Sequence, residues 1–135
     1  MTPPVPDGVP GGVPVTALYA GLLGLLAVVL ANQVLYARLR ASQLPKWKPD
    51  TVLRVQANFV ENVPLALILL LVLELQATSA GILHVLGTAL VACRVLHAWG
   101  MSRNPGANYP RLIGAQGTFL LVSIMSMAAI YGFLV

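Results

Sequence analysis

The sequence has very few charged residues. Of its 135 residues only 9% are Asp, Glu, Lys or Arg, whereas 58% are hydrophobic. A soluble domain has roughly 25% charged residues, so this chain cannot cover a folded core with a solvated surface. Its eight Lys and Arg residues are also too few for the clustered cations of a nucleic-acid-binding surface, despite a formal charge of +4. These shortages predict an integral membrane protein with no nucleic-acid partner.

Cysteine is almost absent. Cys93 is the single cysteine and lies within an apolar segment. One cysteine can form neither an intrachain disulfide nor a cysteine-rich metal site. We therefore expect no metal centre in this chain.

Four apolar segments are each long enough to cross a bilayer, which takes about 20 residues of helix. They predict an all-α integral membrane protein with a four-helix transmembrane bundle, with spans at about residues 13–37, 51–75, 79–101 and 112–135. Residues 1–14 are rich in Pro and Gly and lack a basic start, so we expect a flexible leader rather than a signal peptide. Residues 15–135 then form one transmembrane domain.

The cations predict the orientation of the chain. Seven of the eight lie near the first and third connections, at positions 38, 40, 46, 48, 54, 103 and 111. The second connection, residues 76–80, has no cation. By the positive-inside rule, loops one and three are cytoplasmic and both termini lie on the opposite side.

The second predicted helix carries a polar stripe. Arg54, Asn58 and Glu61 are four and three positions apart, so they lie within about 60° of one another on a helix. Such groups are costly in lipid and must face the bundle interior or a water-filled cavity. Arg94 and His97 share a face of the third helix, which can turn towards this stripe.

Two interpretations of the stripe stay open from the residues alone. Glu61 and Arg94 can form an interhelical ion pair that only fixes the bundle. Alternatively, a surplus of cations around one carboxylate indicates a missing anion. Glutathione fits that description, because its carboxylates need cations, its ammonium needs a carboxylate such as Glu61, and its peptide groups need amides such as Asn58.

The segment that contains this stripe resembles a known family, the membrane-associated proteins in eicosanoid and glutathione metabolism, and most of all its bacterial members. The resemblance rests on the motifs Arg54-x-Gln56-x-Asn58-x-x-Glu61-x-x-Pro64 and Arg94-x-x-His97-x-x-Gly100-Met101, and on Arg111. It implies a homotrimer in a bacterial inner membrane, with glutathione bound between neighbouring subunits near the cytoplasmic face.

The resemblance also implies roles for individual residues. It makes glutathione ligands of Arg54, Asn58, Glu61, Arg94 and His97, and it makes Arg111 the cation that stabilises the thiolate. The position of Arg111 alone is equally suited to a lipid anchor.

Two further ligands are expected from a neighbouring subunit. Gln56 lies two positions after Arg54, about 160° round the helix, so it can reach such a ligand only from another subunit. Arg38, or Arg40 in its place, corresponds to an arginine that joins the site from the neighbour.

The chain also departs from the family pattern. Several relatives have tyrosines where this chain has Asn62 and Met101, so a tyrosine proton donor is missing here.

These observations predict a membrane-bound glutathione transferase or peroxidase that acts on a lipid-soluble electrophile or hydroperoxide. The membrane supplies the hydrophobic substrate, and glutathione or another thiol comes from the cytoplasm. The alternative within the same family is a non-enzymatic lipid-binding or scaffold protein. A small exporter with Glu61 as its coupling group is disfavoured, because such exporters carry their carboxylate in the first helix and this first helix has none.

Overall fold

Four long α-helices form the computed structural model, which describes residues 13–103, 106 and 108–135. The helices are α1 (Val15–Leu39), α2 (Lys48–Leu75), α3 (Ala80–Arg103) and α4 (Tyr109–Leu134), with a short 3-10 turn at Ala41–Gln43. At 24 to 28 residues each is about 36–42 Å long, more than the ~30 Å hydrocarbon core of a bilayer. The predicted four-helix membrane architecture is confirmed. The predicted leader lies outside the described residues, apart from residues 13 and 14.

Two helices begin three residues earlier than their apolar segments. α2 begins at Lys48, with Pro49 in its first turn, and α4 begins at Tyr109, with Pro110 in its first turn. Proline suits this position because the first turn has no intrahelical partner for its N–H. The polar first turns of α2 and α4 are therefore helical and extend beyond the hydrocarbon core.

The outer surface of the bundle is as apolar as its core. Leu23, Leu70 and Leu90 are at most 1% exposed, yet Leu25 and Ile68 are more than half exposed. In water such a surface would drive association. Its natural surroundings are lipid and other membrane-embedded helices.

Glycines bring α3 and α4 into backbone contact. A Cβ atom added to Gly114 would lie 2.5 Å from the carbonyl oxygen of Cys93, and one added to Gly117 would lie 2.5 Å from Cys93 Sγ. Small residues at such positions let helices approach closely in a membrane. The glycines of α1 differ, because a Cβ at Gly21 or Gly24 would meet nothing within 4 Å. These two glycines face outwards and do not pack within the protomer.

The carboxylate of Glu74 joins α1 and α2 at one end of the bundle. It accepts hydrogen bonds from the backbone N–H groups of Val15 and Thr16, the latter at 2.8 Å. An anion is favourable there because the first N–H groups of a helix lack partners and carry partial positive charge. Glu74 is therefore a structural cap. Arg54, His97 and Arg103 lie towards the other end of the bundle, and Glu61 lies near the middle of α2.

Candidate functional site

A polar pocket opens at the end of the bundle where α2 begins and α3 ends. Its volume is about 290 Å³, and its walls come from α2, the end of α3 and the start of α4. The residues that line it are Arg54, Ala57, Asn58, Glu61, His97, Met101 and Arg111. The structure thus brings five of the eight predicted site residues to one cavity.

Arg94 lies behind this pocket and holds Asn58 in place. Its side chain is 1% exposed, its Nη2 donates to Asn58 Oδ1 at 2.8 Å, and its guanidinium lies 5.7 Å from the Phe59 ring centre. A guanidinium has donors only, so the amide oxygen of Asn58 must face it. The NH2 group of Asn58 is then left for the pocket. In this protomer Arg94 positions a pocket residue and does not itself line the pocket.

His97 is oriented by the same guanidinium. The ring is 3% exposed, and Nδ1 lies 3.5 Å from Arg94 Nη2. Because Arg94 can only donate, Nδ1 must present its lone pair, and in the uncharged ring the proton then lies on Nε2. His97 therefore brings an N–H donor to a wall of the pocket.

The carboxylate of Glu61 does not pair with Arg94. Among the described residues no Lys, Arg or His nitrogen lies within 4.0 Å of it, and Arg94 is bonded to Asn58 instead. The ion-pair interpretation of the stripe is therefore wrong for the folded protomer. Glu61 is exposed at the pocket, where it can accept from a ligand.

The start of α4 is hydrogen-bonded to α3 through Asn108, and these bonds fix the backbone position of Arg111. Asn108 Oδ1 accepts from the Arg111 N–H at 3.0 Å, and its Nδ2 donates to the Gly100 carbonyl at 2.8 Å. A Cβ at Gly100 would lie 2.5 Å from the Arg111 nitrogen, so only glycine permits this approach. Gly100 belongs to the motif Arg94-x-x-His97-x-x-Gly100-Met101, but its packing role and the supporting role of Asn108 were not predicted. An asparagine before Tyr-Pro is nevertheless a helix N-cap signal.

Two predicted residues lie elsewhere in the protomer. Arg38 is exposed in the last turn of α1, and Gln56 is half-buried on another side of α2. Neither lines the pocket. A ligand in this pocket could meet them only if they came from another subunit.

The fold and this site define an all-helical integral membrane protein with an arginine-rich pocket at one end of its bundle. The sequence pattern of the MAPEG family, named for membrane-associated proteins in eicosanoid and glutathione metabolism, matches residues 16–131, and the chain belongs to this family.

Two curated relatives are similar to the chain. They are the inner membrane protein YecN of Escherichia coli K12 and that of Escherichia coli O6:H1. Each is 30% identical over 95 residues, which covers 64% of this chain and 69% of the relative. No solved structure matches the chain.

Removing the partner of Arg94 should destabilise the protein. We expect Asn58→Ala to lower the free energy of unfolding by about 1.5–3 kcal/mol, the range for a hydrogen bond to a charged group. Thermal or chemical unfolding in one mild detergent measures this loss. Asn62→Ala is the matched control, since Asn62 lies one turn along α2 and donates to the Asn58 backbone carbonyl, at 2.8 Å, and not to the Arg94 side chain. Equal stability of the two variants would show that the Arg94 contact contributes nothing.

Proposed function

We propose that this protein binds glutathione in the pocket of α2, α3 and α4 and uses its thiolate to attack a lipid-soluble electrophile or hydroperoxide. The observation that carries the proposal is the charge of the site. Three guanidinium groups, those of Arg54, Arg94 and Arg111, lie in or directly behind the pocket, and among the described lining residues Glu61 alone supplies a carboxylate. The pocket is thus left with a net charge of +2.

Glutathione has the complementary charges. With its thiol ionised it carries two carboxylates, one thiolate and one ammonium, a net charge of −2. The ammonium suits Glu61, a carboxylate suits the exposed guanidinium of Arg54, and a peptide carbonyl suits the NH2 group of Asn58. A smaller anion would leave some of these groups without a partner.

Arg111 is the residue best placed to activate the thiol. The thiolate is the nucleophile, and each unit by which a site lowers the pKa of a thiol requires about 1.4 kcal/mol of preference for the anion. Arg111 lines the pocket, and the contacts of Asn108 hold its backbone. His97 supplies an N–H donor to the same sulfur or to the leaving group.

The second substrate reaches the site from the membrane. The helices that form the pocket also present large exposed apolar side chains such as Leu65, Leu96 and Leu112. An apolar electrophile dissolved in the bilayer can therefore approach laterally. By the positive-inside rule, the cations at this end favour a cytoplasmic position for the pocket, where glutathione is supplied.

The complete site is shared between subunits of a homotrimer. Arg38 and Gln56 are outside the pocket of their own protomer, and Gly21 and Gly24 leave a flat outward strip on α1. Small residues of this kind let helices of neighbouring subunits approach closely. A neighbour packed in this way would bring Arg38 and Gln56 to the open side of the pocket.

Glutathione binding tests the proposal most directly. Glu61→Gln should weaken binding by about 1.5–3 kcal/mol because it removes a charged acceptor from the ammonium group. Calorimetric titration of the purified protein measures the affinity. Asp50→Asn is the control, since it removes one negative charge from α2 near the same membrane face, outside the pocket. Wild-type protein that does not bind glutathione would refute the proposal.

A shared site predicts that two defective variants rescue each other. Native mass measurement in mild detergent should show a trimer. When Glu61→Gln and Gln56→Ala subunits assemble together, some sites combine the intact Glu61 of a Gln56→Ala subunit with the intact Gln56 of a Glu61→Gln subunit. These sites should bind glutathione normally. Mixed trimers should therefore regain high-affinity sites that both pure variants lack. Mixed trimers with no such sites would place each site within one protomer.

Arg111→Ala should separate binding from chemistry. Glutathione affinity should largely remain, while the ultraviolet absorbance of bound thiolate disappears at neutral pH. Turnover with a generic aromatic electrophile should fall by about one to three powers of ten, as expected for one preorganised electrostatic contact. Lys46→Ala, which removes a cation outside the pocket, is the control.

The wild-type result decides between an enzyme and a scaffold. Wild-type protein that binds glutathione without forming thiolate or product would indicate the non-enzymatic function. An active Arg111→Ala variant would remove Arg111 from the reaction and leave the rest of the site in place.

A further inference from the structure

A second groove lies between α1 and α3 and shares no lining residue with the glutathione pocket. It consists of two adjoining cavities, of about 210 and 190 Å³, that meet at Gln33 and Ser102. The walls of the larger one are mainly apolar: Leu26, Val29, Leu30, Val95, Ala98 and Trp99. The smaller one lies towards the ends of α1 and α3, where Tyr36 and Lys48 line it together with the apolar residues Ala37, Leu44 and Val52. The end of the groove that holds the Lys48 ammonium is its polar end.

Cations paired with aromatic rings lie beside this groove. Lys48 lines the smaller cavity and its Nζ also donates to the Ser102 carbonyl at 2.7 Å, while the ring partners of Arg40 and Arg103, Tyr36 and Trp99, form part of the groove walls. Arg40 lies 5.9 Å from the Tyr36 ring centre, Lys48 lies 5.3 Å from that of Trp47, and Arg103 lies 4.9 Å from that of Trp99. In the part of the chain that the structure describes, no acidic side chain lines either cavity. Aromatic rings and cations of this kind are characteristic of the membrane–water interface. The polar end is therefore suited to an anion at headgroup depth.

Gln33 marks the boundary between the two ends. Its side chain lines both cavities and has no hydrogen-bond partner among the described residues. It lies six residues before the end of α1, about 9 Å along the helix axis. A primary amide at this depth is costly unless a polar group reaches it. The ester groups of a phospholipid lie between its headgroup and its chains and provide such acceptors.

We propose that this groove binds one anionic phospholipid of the surrounding bilayer. One acyl chain lies between α1 and α3 along the apolar cavity. An ester oxygen accepts from the Gln33 amide, and the phosphate lies among Arg40, Lys48 and Arg103. A soluble anion would leave the apolar cavity empty, and a neutral lipid would leave three cations without a counter-charge. An anionic phospholipid fills the apolar cavity, accepts from the Gln33 amide and provides a counter-charge for the cations.

Native mass spectrometry of the purified protein, titrated with phosphatidylglycerol and with phosphatidylcholine of the same chains, tests this site. Phosphatidylglycerol should bind more tightly. Lys48→Gln and Arg103→Gln should each weaken its binding about fivefold, as expected for one cation near a lipid phosphate. Lys48→Arg should preserve the affinity, and so should Lys46→Gln, which removes a cation of the same face that does not line the groove. Ala98→Phe should reduce the binding of both lipids because it fills the apolar cavity.

Three results would overturn the proposal. Equal affinity for both lipids would show that the cations do not select the headgroup, and unchanged binding in Ala98→Phe would show that the chain lies elsewhere. A free fatty acid that displaces phosphatidylglycerol completely at equal concentration would assign the groove to a different amphiphile. Glutathione affinity should be unchanged in all these variants, so this proposal and the proposed function fail independently.

Discussion

The site depends on one buried hydrogen bond, from the guanidinium of Arg94 to the amide oxygen of Asn58. A guanidinium at 1% exposure inside a membrane bundle is costly, and here an amide and an aromatic ring surround it in place of a carboxylate. The bond leaves the positive charge uncompensated and turns the donors of Asn58 towards the pocket. Among the residues that the structure describes, Glu61 then has no cation partner. One interaction between α2 and α3 therefore sets both the charge of the pocket and the directions of its hydrogen bonds.

A second constraint places α4 against α2 and α3. Gly100, Gly114 and Gly117 remove the side chains that would separate α3 from α4, and Asn108 bonds to both helices. A cation on the first turn of a separate helix could adopt many positions. Close backbone packing restricts the start of α4 to one position, and the backbone of Arg111 with it. The chemistry proposed for Arg111 depends on this packing as much as on its charge.

Much of this arrangement could be predicted from the sequence, because bilayer thickness and helical periodicity leave few choices. Four apolar segments had to become four helices, and the spacing of Arg54, Asn58 and Glu61 had to place them on one face. Periodicity does not show which residue of α3 meets which residue of α2. For that reason a pairing of Arg94 with Glu61 was as reasonable as the observed bond to Asn58. The roles of Gly100 and Asn108 also required the structure, since they depend on contact between two helices.

The two cavity systems are lined by different faces of α3. One face of its last turns, with Arg94 and His97, serves a pocket whose charges suit a small soluble anion. The other, with Ala98 and Trp99, lines a groove whose apolar walls suit a lipid chain. Because the two cavity systems share no lining residue, a substitution in the groove leaves in place the contacts that Arg94 makes with Asn58 and His97.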